Sequence, residues 1–228
     1  FGYYIDWTDN ACYSGTFDGQ GHSISGLYCK QPNAKNISFC GYMTKGTIKN
    51  VAIIDSYFEG DYNVGGIVGA SNESAIKNCL FCGTVKSNKR VGGICGAIQG
   101  YSTISDCFSN AQILVVENAN NYCGGICGMG YGQKIKLRNC VYNNSLYSGQ
   151  VIKWVEEYEN DVTWTGTVEH ITGMKTAEIA SGKATHWLNR YHSGDGLGWY
   201  QNIDNGQTKD AYPVLNNTHG VVYASQPC

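Results

Sequence analysis

Four stretches of the chain are variations on one phrase: TIKNVAI (residues 47–53), AIKNCLF (75–81), TISDCFS (103–109) and KLRNCVY (136–142). Their polar members Asn50, Asn78 and Asp106 recur at one constant interval, and the step on to Asn139 is longer by five. A glycine phrase keeps step: GGIVG from Gly65, GGICG from Gly92 and GGICG from Gly124. Its second glycines, Gly66, Gly93 and Gly125, repeat almost the same interval, and the last step is again longer by five. The five extra residues of the last unit fall in ILVVENANNY (113–122), which reads as a loop insertion. A degenerate earlier copy, NISFCGYMTKGTIKNV (36–51), places Gly41 one such interval before Gly69. A fixed period of about 28 residues marks a repeat architecture.

Each unit carries short runs of Ile, Val, Phe and Tyr, punctuated by Gly, Asn and Ser, which suits strands and not helices. One unit cannot bury its own apolar face, but stacked copies can. The expected fold is therefore all-β: a parallel β-helix whose coil is one period of the repeat. Strands of successive coils then lie ~4.8 Å apart. The glycine phrases are read as tight corners. The Asn column can form an amide ladder up the stack, interrupted at Asp106. A propeller blade needs a longer repeat, and a β-sandwich keeps no period. Residues 1–170 are assigned to the β-helix and 171–228 to a small α+β cap or docking segment.

Composition narrows the function. The 228 residues carry a net charge of −2, and only 15% are charged. No basic surplus points to nucleic acid. No apolar run is long enough to span a bilayer. The chain begins at Phe1 rather than Met, which reads as a mature or excised piece of something longer. Four Asn-x-Ser/Thr sequons, at Asn36, Asn72, Asn143 and Asn216, are glycosylation candidates in a secreted protein.

GTFDGQGHSISGLY from Gly15, followed by GTIKNV and the GGIVG and GGICG phrases, resembles the GLUG-repeat bacterial surface proteins. The resemblance covers about residues 12–145. The tail segments MKTAEIASGKATHWLN, WYQNIDNGQ and YPVLNNTHGVVYA resemble segments that often follow such repeats. The resemblance implies a right-handed parallel β-helix in a secreted or wall-attached polypeptide. It transfers no catalytic residues. Such repeats also accompany some secreted peptidases.

Eleven cysteines depart from that pattern. Cys79, Cys107 and Cys140 share a column with Val51; Cys40, Cys95 and Cys127 share one with Val68. Column mates in adjacent coils fall within disulfide reach, so Cys95 with Cys127, or Cys107 with Cys79 or Cys140, can clamp coils. The alternative is a set of reduced core residues replacing valine. Zinc is disfavoured: Cys79 and Cys82 point to opposite faces of a strand, although Cys123 and Cys127 also form a close pair. Cys228 reads as the odd thiol.

No constellation calls for an active site. The glycine phrases lack the Lys-Ser/Thr and following helix of a phosphate loop. The histidines, His22, His170, His186, His192 and His219, sit in no known catalytic motif. Asp55, Glu59 and Asp61, and Glu156, Glu157, Glu159 and Asp161, read as solvated surface. Thr47 and Thr103 do not continue through Ala75 as an ice-binding face would need. No catalytic residue, metal or cofactor is assigned.

In the tail, Thr176 is expected to cap a helix over 177–191, with Ile179, Ala180, Ala184, Trp187, Leu188 and Tyr191 as its apolar stripe. Short strands are expected near Trp199, Ile203, Pro213, Val214 and 221–223. Trp187, Trp199 and Tyr200 are a candidate aromatic platform for sugar, against a packing role. The expected function is a non-enzymatic extracellular or cell-surface module, structural or adhesive. A protomer of a self-assembling fibre is the first alternative, and a carbohydrate-binding or polysaccharide-active β-helix the next. Expected partners are copies of itself, head to tail, or glycans and proteins at a cell surface.

Overall fold

The computed structural model describes residues 12–115, 122–132, 134–154, 166–194, 196–203 and 209–222. It is a parallel β-solenoid. One face is a five-stranded sheet formed by Cys40–Thr44, Val68–Asn72, Cys95–Gln99, Cys127–Tyr131 and Ile152–Trp154, all paired in parallel. The remaining sides form an eleven-stranded sheet that bends round the coil corners. Its register follows the period: Ile48 pairs with Ile76, Ile76 with Ile104, and Ile104 with Leu137. Like therefore stacks on like. The lumen is filled by columns such as Ile67, Ile94 and Ile126, all fully buried. Burying each of these side chains contributes roughly 1.5–3 kcal/mol.

The corners are made by asparagine. Asn50, Asn78, Asp106 and Asn139 have φ values of 56°, 51°, 56° and 47°, and Asn36 and Asn63 repeat this at a second corner with 58° and 55°. Asn and Asp tolerate this left-handed region better than other non-glycine residues. The side chains then bond up the stack. Asn78 Nδ2 donates to Asn50 Oδ1 (2.9 Å), Asn139 to Asp106 (2.7 Å), and Asn63 to Asn36 (2.8 Å). Serines form a further row, with the Gly46 and Ser74 N–H groups donating to Ser74 and Ser102 Oγ, both at 3.1 Å. Outside, Lys30, Glu59 and Lys86 alternate in sign through three coils, 3.8 and 3.0 Å apart. The Tyr57 hydroxyl and Lys86 hold the Glu59 carboxyl below its ordinary pKa.

The glycine phrases have a different job from the one expected. None of Gly65, Gly66, Gly92, Gly93, Gly124 or Gly125 has a left-handed φ. They are needed because a Cβ would not fit. At Gly66 it would lie 2.1 Å from the Phe81 ring, and at Gly93 1.9 Å from Ser109 Oγ. The chain runs close against those side chains there.

The last coil ends with the strand Thr167–Met174, paired to Lys136–Asn143, so the solenoid reaches Met174. The single tail helix expected over 177–191 is two, α1 (Thr176–Ala180) and α2 (Lys183–Arg190). Gly182, at φ 87°, breaks them apart. Thr176 is the first helical residue and not the cap; Glu178 Oε2 accepts the Lys175 N–H instead (3.0 Å). Among the described residues, the strands expected after the helices reduce to one antiparallel bridge, Tyr200 to Val214. The tail also lies along the flank of the stack and not across its end. Ile179, Ala184, Leu188, Trp199 and Leu215 pack on an outward-facing column of Ala52, Leu80, Phe108 and Val141.

Gly93→Ala is expected to destabilise the fold by about 1–3 kcal/mol through forced overpacking. Thermal unfolding followed by circular dichroism measures it, and an unchanged midpoint would refute the close approach.

Candidate functional site

The site is built where the tail meets the flank. Past the Asn corner, each coil places a small or apolar side chain outward: Ala52, Leu80, Phe108 and Val141 stand in one register column. The helices cover it with their apolar side. The Asn row beside it, already bonded along the stack, then offers its remaining groups to the tail backbone. Asn78 Nδ2 also donates to the Leu197 carbonyl (2.9 Å), and Asn139 Nδ2 to the Leu188 carbonyl (2.8 Å). The Leu197 N–H donates to Asn50 Oδ1 (3.3 Å).

Asp106 is where the ladder breaks and the tail is held hardest. Its side chain has no N–H to give, and buried Asn78 Oδ1 has no hydrogen-bond donor among the described residues. Asp106 turns its carboxyl to the tail instead, accepting from the Ser193 N–H (3.2 Å) and the Ser193 hydroxyl. In the last coil His170 pairs with the Asn139 position at φ 52°, and its ring stacks on Tyr191 at 4.1 Å.

After the helices, Gln201 fixes the chain. Its Oε1 accepts from Thr185 (2.6 Å), and its Nε2 donates to the Ile179 carbonyl (3.0 Å). The following turn orients His219. Its Nδ1 lies 2.6 Å from Asp210 Oδ2, an oxygen that also accepts the Asn202 N–H at 2.6 Å. Between this turn and the first coils is a cavity of about 490 Å³. Its floor is Ala52, Ile54 and Leu80, the end of the outward column that the helices leave open. Tyr200 and Tyr212 form walls, and His219 lines it. Burial, with Cys82 beside it, pushes the Tyr212 phenol well above its ordinary pKa.

The expected aromatic platform does not assemble. Trp199 is 0% exposed, packed in the cluster under the tail. Trp187 is half-buried and donates its indole N–H to the His170 carbonyl (3.2 Å). Tyr200 lines the cavity described above.

The cysteines stand in the expected columns, Cys95 paired with Cys127 and Cys79 with Val51. The expected inter-coil bridges are not present: Cys79, Cys95, Cys107, Cys127 and Cys140 are free thiols. Each donates to a carbonyl two residues away: Cys79 to Lys77 (3.1 Å), Cys107 to Ser105 (3.1 Å), Cys140 to Arg138 (3.2 Å), Cys95 to Ala97 (3.1 Å) and Cys127 to Met129 (3.5 Å). Burial pushes Cys107, Cys127 and Cys140 far up, and Cys40 to about 12. A protonated buried thiol is neither nucleophile nor metal ligand. Cys228, Glu156, Glu157, Glu159, Asp161 and Tyr223 lie outside the described residues.

Two of the four sequons are consumed by the fold. Asn36 and Asn143 are each 4% exposed, and their amides bond within the stack. Asn216 is exposed, with Oδ1 accepting from Thr218, and Asn72 is half-buried.

No known family's sequence profile matches the chain. A segment of halomucin from Haloquadratum walsbyi (strain DSM 16790 / HBSQ001) is 32% identical over 99 residues, which is 43% of this chain and 1% of halomucin. The chain thus spans about a hundredth of that relative's length. A solved structure described as a putative immunoglobulin A1 protease from Bacteroides ovatus aligns over 87% of this chain and 76% of its own, at 17% identity and a TM-score of 0.39. Among the described residues, no helix is long and apolar enough to cross a membrane.

Two outcomes test this geometry. Asp106→Asn supplies the missing N–H to Asn78 Oδ1 and removes the acceptor for the Ser193 hydroxyl. Amide exchange over residues 192–197 should quicken about fivefold, from a lost hydrogen bond of about 1 kcal/mol, while the coil at Asn78 gains protection. Iodoacetamide on the folded protein should label Cys12, Cys29, Cys82 and Cys123 and spare Cys79, Cys95, Cys107, Cys127 and Cys140. Peptide mass mapping with and without reductant reads both the labels and any bridge.

Proposed function

We propose that this chain is a non-enzymatic, extracellular β-solenoid module of GLUG-repeat type, with a structural or adhesive role as a segment of stalk or scaffold. One observation carries the reading: what is repeated in the sequence is spent on the stack. The Asn corners bond to the next coil or to the tail, the thiol columns fill the lumen, and the glycines let the chain pack close against its neighbours. A repeat selected for chemistry would return a reactive side chain to the surface at each period. These repeats return small, apolar and amide groups that serve the coil above and below.

The match to a segment of halomucin supports the same reading, since the matched 99 residues are 1% of a very long polypeptide. A module inside such a chain needs stiffness and length more than turnover. Immunogold electron microscopy of the native producer is expected to place the protein outside the cell. Purified protein is expected to leave polysaccharide and peptide substrate panels intact. Intracellular label removes the extracellular reading, and turnover lost on boiling removes the non-enzymatic one.

A further inference from the structure

The cavity between tail and flank has a composition unlike the rest of the surface. No Lys, Arg, Asp or Glu lines it among the described residues. Its floor is apolar, its walls carry the two tyrosines Tyr200 and Tyr212, and its rim carries amides, Gln20 from the first coil and Asn216 and Asn217 from the tail. His22 and Ser23 face it from the first coil, and both are exposed. A phosphate or carboxylate ligand would find no cation here, and an amine no carboxylate. A purely apolar ligand would strip water from the rim amides without replacing their hydrogen bonds. The chemistry that fits is neutral, with an apolar face and many hydroxyls.

One wall group is also held in place by hydrogen bonds. His219 Nδ1 lies 2.6 Å from Asp210 Oδ2 and 3.2 Å from Asn202 Nδ2, and Asn202 Oδ1 accepts the Gly220 N–H at 2.8 Å. Both contacts are made at Nδ1, which leaves Nε2 outside them. A held imidazole, flanking amides and tyrosine walls over an apolar floor make a few placed polar groups in a largely apolar concavity, and about 490 Å³ falls in the ~300–1,000 Å³ range of small-molecule sites.

We infer that this cavity is a binding site for a short neutral saccharide. A pyranose sets its C–H face against the tyrosine rings and apolar floor, and its hydroxyls exchange hydrogen bonds with His219, Asn217, Gln20 and His22. The assignment stands apart from the structural role proposed above: a scaffold with this cleft and a scaffold without it differ only here. It also moves the sugar site away from the tryptophans, since Trp199 is buried.

The test is saturation-transfer difference NMR on the intact chain. The probes are the methyl glycosides of glucose, galactose, mannose and N-acetylglucosamine, with lactose, cellobiose and chitobiose. At least one probe should show transfer that saturates at millimolar concentration. The double variant His22→Ala/Asn217→Ala changes two exposed side chains, so its melting curve should match the parent. Its affinity for that probe should fall about tenfold, the loss of roughly one good contact. No transfer from any probe, or a fall of less than about threefold in the folded variant, overturns the assignment.

Discussion

The structure depends on a turn that asparagine can make and then bond across. At each period the chain enters the left-handed region at Asn50, Asn78, Asp106 and Asn139. A glycine there would turn as well, but it would leave the corner silent. Asparagine turns and still offers an amide, so the corner of one coil is tied to the corner of the next at 2.7–2.9 Å. The tie fixes register, because a slip of one residue would both misplace the turn and reverse every side chain between lumen and flank. The inward columns of isoleucine, valine and cysteine follow from that register.

The same row explains why the tail sits where it does. Each amide has more hydrogen-bonding capacity than the ladder uses, and the surplus lies along a line on the flank. The backbone of residues 188–197 meets part of it at Asn50, Asn78, Asp106 and Asn139 in turn, while Asn78 Oδ1 and Asn139 Oδ1 have no partner among the described residues. Asp106 is the informative exception. It leaves Asn78 Oδ1 without a donor inside the stack, a cost of roughly 1–3 kcal/mol, and gains two bonds from Ser193. A ladder of pure asparagine would stack better and hold the tail less well. The substitution moves hydrogen bonding from the coil to the dock.

The period made the coils, their columns and the break at Asp106 legible in the sequence, because each is a local property repeated in step. The tail's position was not legible from the tail. Its apolar stripe says that it packs, but not on what. The missing signal was in the repeats: NVA, NCL, DCF and NCV put apolar residues at two successive positions after the corner, where a strand with one wet face would alternate. Strands covered on both faces read as continuous apolar runs. Ala52, Leu80, Phe108 and Val141 were therefore announcing a cover for the flank. The glycine phrases misled for a related reason. Glycine serves for turning and for close approach, and only the opposing Phe81 and Ser109, distant in sequence, decide between them. Trp199 likewise reads equally well as platform or core until its neighbours are known.

The cavity follows from a mismatch between a periodic surface and an aperiodic cover. The outward column continues to Ala52 with the same geometry in each coil, but the helices end at Arg190 after covering its far part. The chain must then return over the near part as irregular structure, pinned by Gln201 and by the turn that holds Asp210 to His219. Irregular chain cannot match a flat apolar row, so space is left, and its walls are whatever the tail brings: Tyr200, Tyr212, His219 and the amides. The consequence is a division of labour. The repeats set the floor and are constrained by their neighbours above and below, whereas the walls come from the aperiodic tail. The proposed saccharide site therefore takes its floor from the repeat and its walls from the tail.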